Sequence, residues 1–135
     1  MPKVIPELVV SNTEASREFY TMLGFVQNDE GILDDKGQQW YSLAMGDAAL
    51  WIIREDVIEG FDPAAQRGPG VHLFLSVDDV DALYEKMQGK ANITKEIETQ
   101  WYGLREFKLE DPDGYTWIVN MPVDEHAKDV VDGQS

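Results

Sequence analysis

The sequence contains no cysteine and only two histidines, His72 and His126. The first absence excludes disulfides, thiolate nucleophiles and cysteine-ligated zinc, and it fits a reducing compartment. Basic residues are also scarce: 11 Lys and Arg stand against 26 Asp and Glu, for a formal net charge of -15. A field of that sign repels nucleic acid and anionic membranes, so neither is expected as a partner. The excess acid either keeps the surface soluble or attracts a cationic ligand, and composition does not separate the two. No stretch approaches the roughly 20 apolar residues of a bilayer span, and the opening MPKVIPELVV lacks the apolar core and cleavage site of a secretory signal. A cytoplasmic protein is expected. There is no Gly-x-Ser-x-Gly elbow and no phosphate-binding glycine loop, so no nucleophilic constellation competes for the function.

What is present is one domain's worth of chain, 135 residues, with four tryptophans, five tyrosines and five phenylalanines. Those rings are enough to line a pocket as well as fill a core. Residues 4–10 are apolar and β-branched and lead into Ser11-Asn12-Thr13-Glu14, which opens a helix. Ala15, Phe19, Met22 and Leu23 recur at helical spacing, and Gly24 stops the helix. Phe25 restarts an extended segment, and residues 40–45 and 48–54 read as two strands joined by a hairpin turn at Gly46-Asp47. Residues 55–70, with Gly60, Asp62-Pro63 and Gly68-Pro69-Gly70, read as a linker.

Beyond the linker the pattern begins again. A strand over 72–77 precedes a helix capped by Asp78 or Asp79, with Val80, Leu83, Tyr84 and Met87 as its apolar stripe. Three more extended segments follow, at 93–98, 104–110 and 115–120. The last two are joined by the turn Asp111-Pro112-Asp113-Gly114, whose carboxylates are turn-typical rather than catalytic. Glu7-Leu8-Val9-Val10-Ser11-Asn12 aligns with Phe74-Leu75-Ser76-Val77-Asp78-Asp79 at a constant offset, so the chain is an internal repeat of two βαβββ modules. Module one spans about 3–55, the linker about 56–70 and module two about 71–121, together a single domain over 1–121. Residues 122–135 form an acidic polar tail expected to be frayed or loosely docked. A lone module exposes sheet edges, so two must pair, within the chain or between two chains.

Glu7 to Asn12, running into Ser16-Arg17-Glu18-Phe19-Tyr20 and Leu23-Gly24-Phe25, resembles the opening signature of the vicinal oxygen chelate superfamily, which holds glyoxalases, bleomycin resistance proteins and dioxygenases. Phe107-Lys108-Leu109-Glu110-Asp111-Pro112-Asp113-Gly114 resembles the penultimate strand and turn of the same families. The resemblance covers nearly all of 3–121 and implies an α+β fold: two βαβββ modules forming a cupped mixed sheet. It implies no single activity, because this fold carries isomerases, epimerases, dioxygenases, thiol transferases and pure binding proteins. In metal-dependent members, the three ligand positions fall here on Ile5, His72 and Ile118. Two isoleucines remove the ligands and the charge a divalent metal needs, so no metal and no cofactor are expected. A shifted site at Glu7, His72 and Asn120 is the alternative, although asparagine is a poor transition-metal ligand.

If the metal-slot positions face the concave side, strand alternation puts Ile5, Glu7 and Val9 there from the first strand, with His72, Phe74 and Ser76 from its counterpart. The same parity adds Glu106, Lys108, Thr116, Ile118 and Asn120, and assigns Trp117 to the core. Family registration around Gly46 places Trp40, Ser42 and Trp51 on that side, either as a binding platform or packed on one another or across a dimer interface. Trp101 and Tyr102, in the loop before the seventh strand, could close the groove. The expected ligand-binding set is therefore Glu7, Trp40, Ser42, Trp51, His72, Phe74, Trp101, Tyr102, Glu106, Lys108, Ile118 and Asn120, with no catalytic residue. It suits a flat, amphiphilic ligand such as a cationic aromatic drug. The leading expectation is a metal-free binding protein, a homodimer like the bleomycin resistance proteins, which sequester a ligand rather than transform it. A metal-dependent glyoxalase or dioxygenase with the shifted site, and a structural or regulatory domain with a filled cavity, are the other two readings.

Overall fold

The computed structural model describes residues 2–133, the side chain of Glu30 excepted. Met1 and the end of the expected tail, Gln134 and Ser135, lie outside the described residues. Tertiary contacts divide the chain into two compact units, Met1–Arg67 and Gly68–Ser135, with the boundary inside the segment expected as a linker.

The first unit runs β1 (Glu7–Val10), α1 (Thr13–Leu23), β2 (Val26–Glu30), a short pair β3 (Leu33–Asp34) and β4 (Gly37–Gln38), then β5 (Trp40–Met45) and β6 (Ala48–Arg54). Its main sheet has the order β1-β6-β5-β2, with β1 parallel to β6 and the other pairs antiparallel. Asn12 starts α1 by accepting the Ala15 N–H on its side chain at 3.0 Å. Gly24, at φ 123°, ends it in a conformation that side-chain-bearing residues rarely adopt. The helix buries Thr13, Ser16, Phe19, Tyr20 and Leu23, so its phase is turned from the expected Ala15 and Met22 toward Tyr20. The reason is aromatic packing: Tyr20 meets Phe19 and Phe25 edge to face, with centroids 4.9 and 5.9 Å apart. Leu8, Val10, Leu43, Leu50 and Ile52 complete this core.

Arg54 closes the unit electrostatically. Its guanidinium, 7% exposed, donates to Asp34 and Asp56 and to the Gly37 carbonyl. Arg54 holds both carboxyls below their ordinary value of 3.8. Groups depressed in the folded state bind fewer protons there than in the unfolded chain, so their stabilisation is complete above pH 3.8 and fades as pH falls below it. Thermal melts at pH 6 and pH 3 should therefore show a larger acid loss for the wild type than for Arg54→Met, in which only the smaller contributions of Lys36 and Gln39 still depress these carboxyls. Equal losses would remove the network from the account of acid stability.

The second unit runs β7 (Leu73–Ser76), α2 (Val80–Met87), β8 (Asn92–Thr99), β9 (Leu104–Glu110), β10 (Thr116–Pro122) and α3 (Glu125–Val131). The sheet order is β7-β10-β9-β8, with β7 parallel to β10, so the topology of the first unit is repeated. Asp79 caps α2 by accepting the Ala82 N–H at 3.1 Å, at the same offset from Asn12 that aligns Phe74 with Glu7. Leu75, Val80, Met87, Phe107, Leu109, Trp117 and Val119 are buried, as expected for Trp117. Asp111 makes the predicted turn structural: its carboxylate accepts the N–H groups of Asp113 and Tyr115, both at 2.9 Å. Of the two expectations for the tail, frayed or loosely docked, residues 125–131 take the second, as a helix. Asp124 accepts the Ala127 N–H at 2.7 Å and starts α3, and Ala127 is 3% exposed, so 125–131 is a docked helix rather than a frayed end. Among the described residues, no helix is long and apolar enough to cross a membrane.

Candidate functional site

In the first unit, α1 covers one face of the sheet and leaves the other to side chains of opposite parity. On that second face Glu7, Trp51 and Ser42 lie in one row across β1, β6 and β5, and Val9, Ile53 and Trp40 lie in the next. Trp40 and Trp51 are therefore diagonal cross-strand neighbours, within reach for large rings. They stack, with centroids 6.3 Å apart and planes at 28°. Trp51 remains 42% exposed, so the pair packs on itself and still presents an indole to a ligand. Ser42 and Trp40 are half-buried and Glu7 is exposed. Sequence reasoning missed Gly31, which makes room for the pair. Its N–H bonds the Trp40 carbonyl at 2.9 Å, and a Cβ built there would lie 2.0 Å from Trp40 Nε1. An isolated glycine beside a strand marks such a close approach and was the available signal.

In the second unit, the face of the sheet away from α2 carries two rows. Ser76, Asn120, Glu106 and Glu98 form one, and Phe74, Ile118, Lys108 and Lys95 form the other. Phe74 is 61% exposed at the β7 edge, and Ile118 is buried. His72 is exposed and directly precedes β7. Glu106 is 3% exposed and accepts the Tyr102 hydroxyl. Burial raises its pKa, while Lys108 and Lys95 pull it back. Asn120 is 1% exposed; its amide nitrogen donates to the Ile118 carbonyl at 3.3 Å, and its Oδ1 has no partner among the described residues. Trp101 and Tyr102 pack edge to face, centroids 5.3 Å apart, and Trp101 is 94% exposed.

The expected set thus divides between the units: Glu7, Trp40, Ser42 and Trp51 belong to the first, and His72, Phe74, Trp101, Tyr102, Glu106, Lys108, Ile118 and Asn120 to the second. Among the described residues, no group of three or more His, Cys, Asp or Glu side chains is placed to hold a metal ion. The shifted trio supplies one carboxylate, one exposed imidazole and one buried amide, a weak donor set for a transition metal. A polar cavity of about 260 Å³ at the start of α1 is lined by Glu14, Lys36, Arg54, Glu55 and Asp56, and Lys36 and Arg54 are both already paired with Asp56.

Solved structures share this architecture. TnmS3, an antibiotic binding protein from Streptomyces sp. CB03234, is 26% identical with a TM-score of 0.67, covering 90% of this chain and 97% of that one. A bleomycin-binding protein complexed with bleomycin is 23% identical with a TM-score of 0.63, covering 90% and 98%. TioX from Micromonospora sp. ML1 is 16% identical with a TM-score of 0.71, covering 90% and 99%. An uncharacterised protein of Mycobacterium tuberculosis is 25% identical over 142 residues, 96% of this chain and 80% of that protein. The sequence model of the Glyoxalase/Bleomycin resistance protein/Dioxygenase superfamily matches residues 4–119, which runs from the start of the first unit into β10 of the second. With that match laid over the repeated fold, the chain belongs to the glyoxalase/bleomycin resistance protein/dioxygenase superfamily.

Proposed function

We propose that this protein is a metal-free small-molecule-binding member of the superfamily, a homodimer that sequesters a flat aromatic ligand on the sheet face bearing Trp40 and Trp51. The observation that carries the reading is the stacked indole pair with Trp51 exposed beside Glu7 and Ser42. An exposed indole offers a π face, a neighbouring carboxylate favours a cation over it, and the net charge of -15 raises the local concentration of cations. Isoleucines at two of the three resemblance-derived metal positions support binding without chemistry. The antibiotic-binding and bleomycin-binding neighbours add support, since their folds serve small-molecule capture.

Calorimetry with bleomycin and a planar cationic dye tests the site. Trp51→Ala should weaken the bound compound about tenfold, the effect of losing one cation–π or stacking contact with its buried area. Gly31→Val should weaken it comparably by pushing Trp40 out of the stack, although residue 31 itself is not expected to touch ligand. Unchanged affinity in both variants would move the ligand off this face.

A further inference from the structure

The C-terminal helix forms one wall of a cavity of about 450 Å³, within the range of roughly 300–1,000 Å³ typical of small-molecule sites. Trp101, Tyr102 and Leu104 make its apolar side together with Ala127, Val130 and Val131 of α3. Ala127 is buried and holds the helix down, whereas Trp101 and Val130 stay exposed on the rim. That uncovered indole and valine are apolar area for a ligand to take out of water. The Tyr102 hydroxyl is already committed to Glu106, so Tyr102 serves here as a wall and not as a donor.

The polar side is Asp124 and His126. Among the described residues that line the cavity, Asp124 carries the one formal charge, and no Lys or Arg opposes it. Asp124 divides its oxygens: Oδ1 accepts the Ala127 N–H at 2.7 Å, while Oδ2 has neither a hydrogen bond nor an ion pair among the described residues. Oδ2 lies over Gly103, where a Cβ would stand 2.3 Å away, so glycine leaves the room this oxygen occupies. His126 is exposed and has no partner among the described residues either. An unpaired carboxylate oxygen and an open indole both attract a cation, and the net charge of -15 favours the same sign.

We propose that the cavity beside α3 binds a small ammonium ion with an aromatic body, its ring against Trp101 and Val130 and its N–H donor on Oδ2 of Asp124. His126 and Val130 are four residues apart and share a helix face, so the imidazole stands beside the same ligand and offers it a second acceptor. The site lies wholly within the second unit and does not depend on the Trp40–Trp51 reading, because a different tryptophan reports it.

The test labels the full chain with 5-fluorotryptophan and assigns its four fluorine resonances by single Trp→Phe substitutions. The protein is then titrated with 1-naphthylmethylamine and, separately, with 1-naphthalenemethanol, which keeps the ring and lacks the charge. The amine should move the Trp101 resonance saturably, and the alcohol should bind about tenfold more weakly, the loss of one charge-assisted hydrogen bond. Asp124→Asn should weaken the amine by the same factor and leave the alcohol unchanged. Asparagine caps a helix as well as aspartate does, so the thermal melt of this variant should match the wild type. Val130→Lys, at an exposed position, puts a cation of the protein's own on the rim and should abolish the amine response. A Trp101 signal that ignores the amine, that answers amine and alcohol equally, or that titrates unchanged in Asp124→Asn overturns the proposal. A Trp101 signal that moves with protein concentration and not with the amine also overturns it, and assigns the rim to a second copy of the chain. An amine response confined to Trp40 and Trp51 overturns it too, and leaves the first reading intact.

Discussion

Phe107→Ala should lower the stability of the second unit by about 3–5 kcal/mol, the largest effect of any substitution considered for this protein. Phe107 is fully buried on β9, opposite Val119, and meets Tyr84 of α2 edge to face with centroids 5.1 Å apart. Truncation removes the apolar surface and leaves a cavity between sheet and helix that two rigid elements close only in part. The loss also strips the edge-to-face contact, about 0.5–1.5 kcal/mol of the whole. Urea unfolding followed by circular dichroism measures it, with the midpoint shifted and the slope retained. A change near 1 kcal/mol would mean that the sheet and α2 collapse onto the gap, and that Phe107 fills space other residues can take.

The second large effect is expected at Gly103. Its φ is +87°, and a Cβ there would lie 2.3 Å from Oδ2 of Asp124, the residue that caps α3. Gly103→Ala therefore combines a strained backbone, about 1–2 kcal/mol, with displacement of a cap that contributes about 1 kcal/mol. The Gly103 carbonyl also accepts the Val123 N–H at 2.9 Å, so the strain is applied where the chain leaves β10 for α3. The expected result is a loss of about 2–3 kcal/mol, with hydrogen exchange at Lys128 and Asp132, the N–H groups bonded within and just past α3, accelerated more than exchange in β10. Uniform acceleration would show that α3 unfolds only with the whole unit.

These effects sit at different depths of legibility. The repeat could be read directly because its signals are local. Asn12 and Asp79 each cap a helix from one position before it, and Gly46, at φ 57°, makes the hairpin turn where the sequence placed it. Strand alternation, with the registration around Gly46 that the family resemblance implied, put Glu7, Trp40, Ser42 and Trp51 on one face, whereas the rows they form across β1, β6 and β5 come from the strand register and were not legible. The Arg54 network was not legible. Asp34 lies 20 residues from Arg54 in sequence, and a polar loop gives no sign of which charge it will meet. Helix α3 was hidden for another reason: its composition is that of a solvated tail, and the acidic residues masked Val123, Ala127, Val130 and Val131 at helical spacing behind an Asp124 cap. The phase of α1 was misjudged because Tyr20 counts as amphipathic in sequence, while its ring is held by two other rings in the fold.

The central claim, ligand capture without a metal, is tested most directly by titrating chelator-stripped protein with bleomycin while following tryptophan fluorescence, then repeating the titration with added Zn²⁺, Ni²⁺ or Mn²⁺. The account predicts saturable quenching at micromolar compound in the stripped protein, weakened by salt and unchanged by the metals. No response to the compound, together with tight stoichiometric binding of one of the metals, would contradict it.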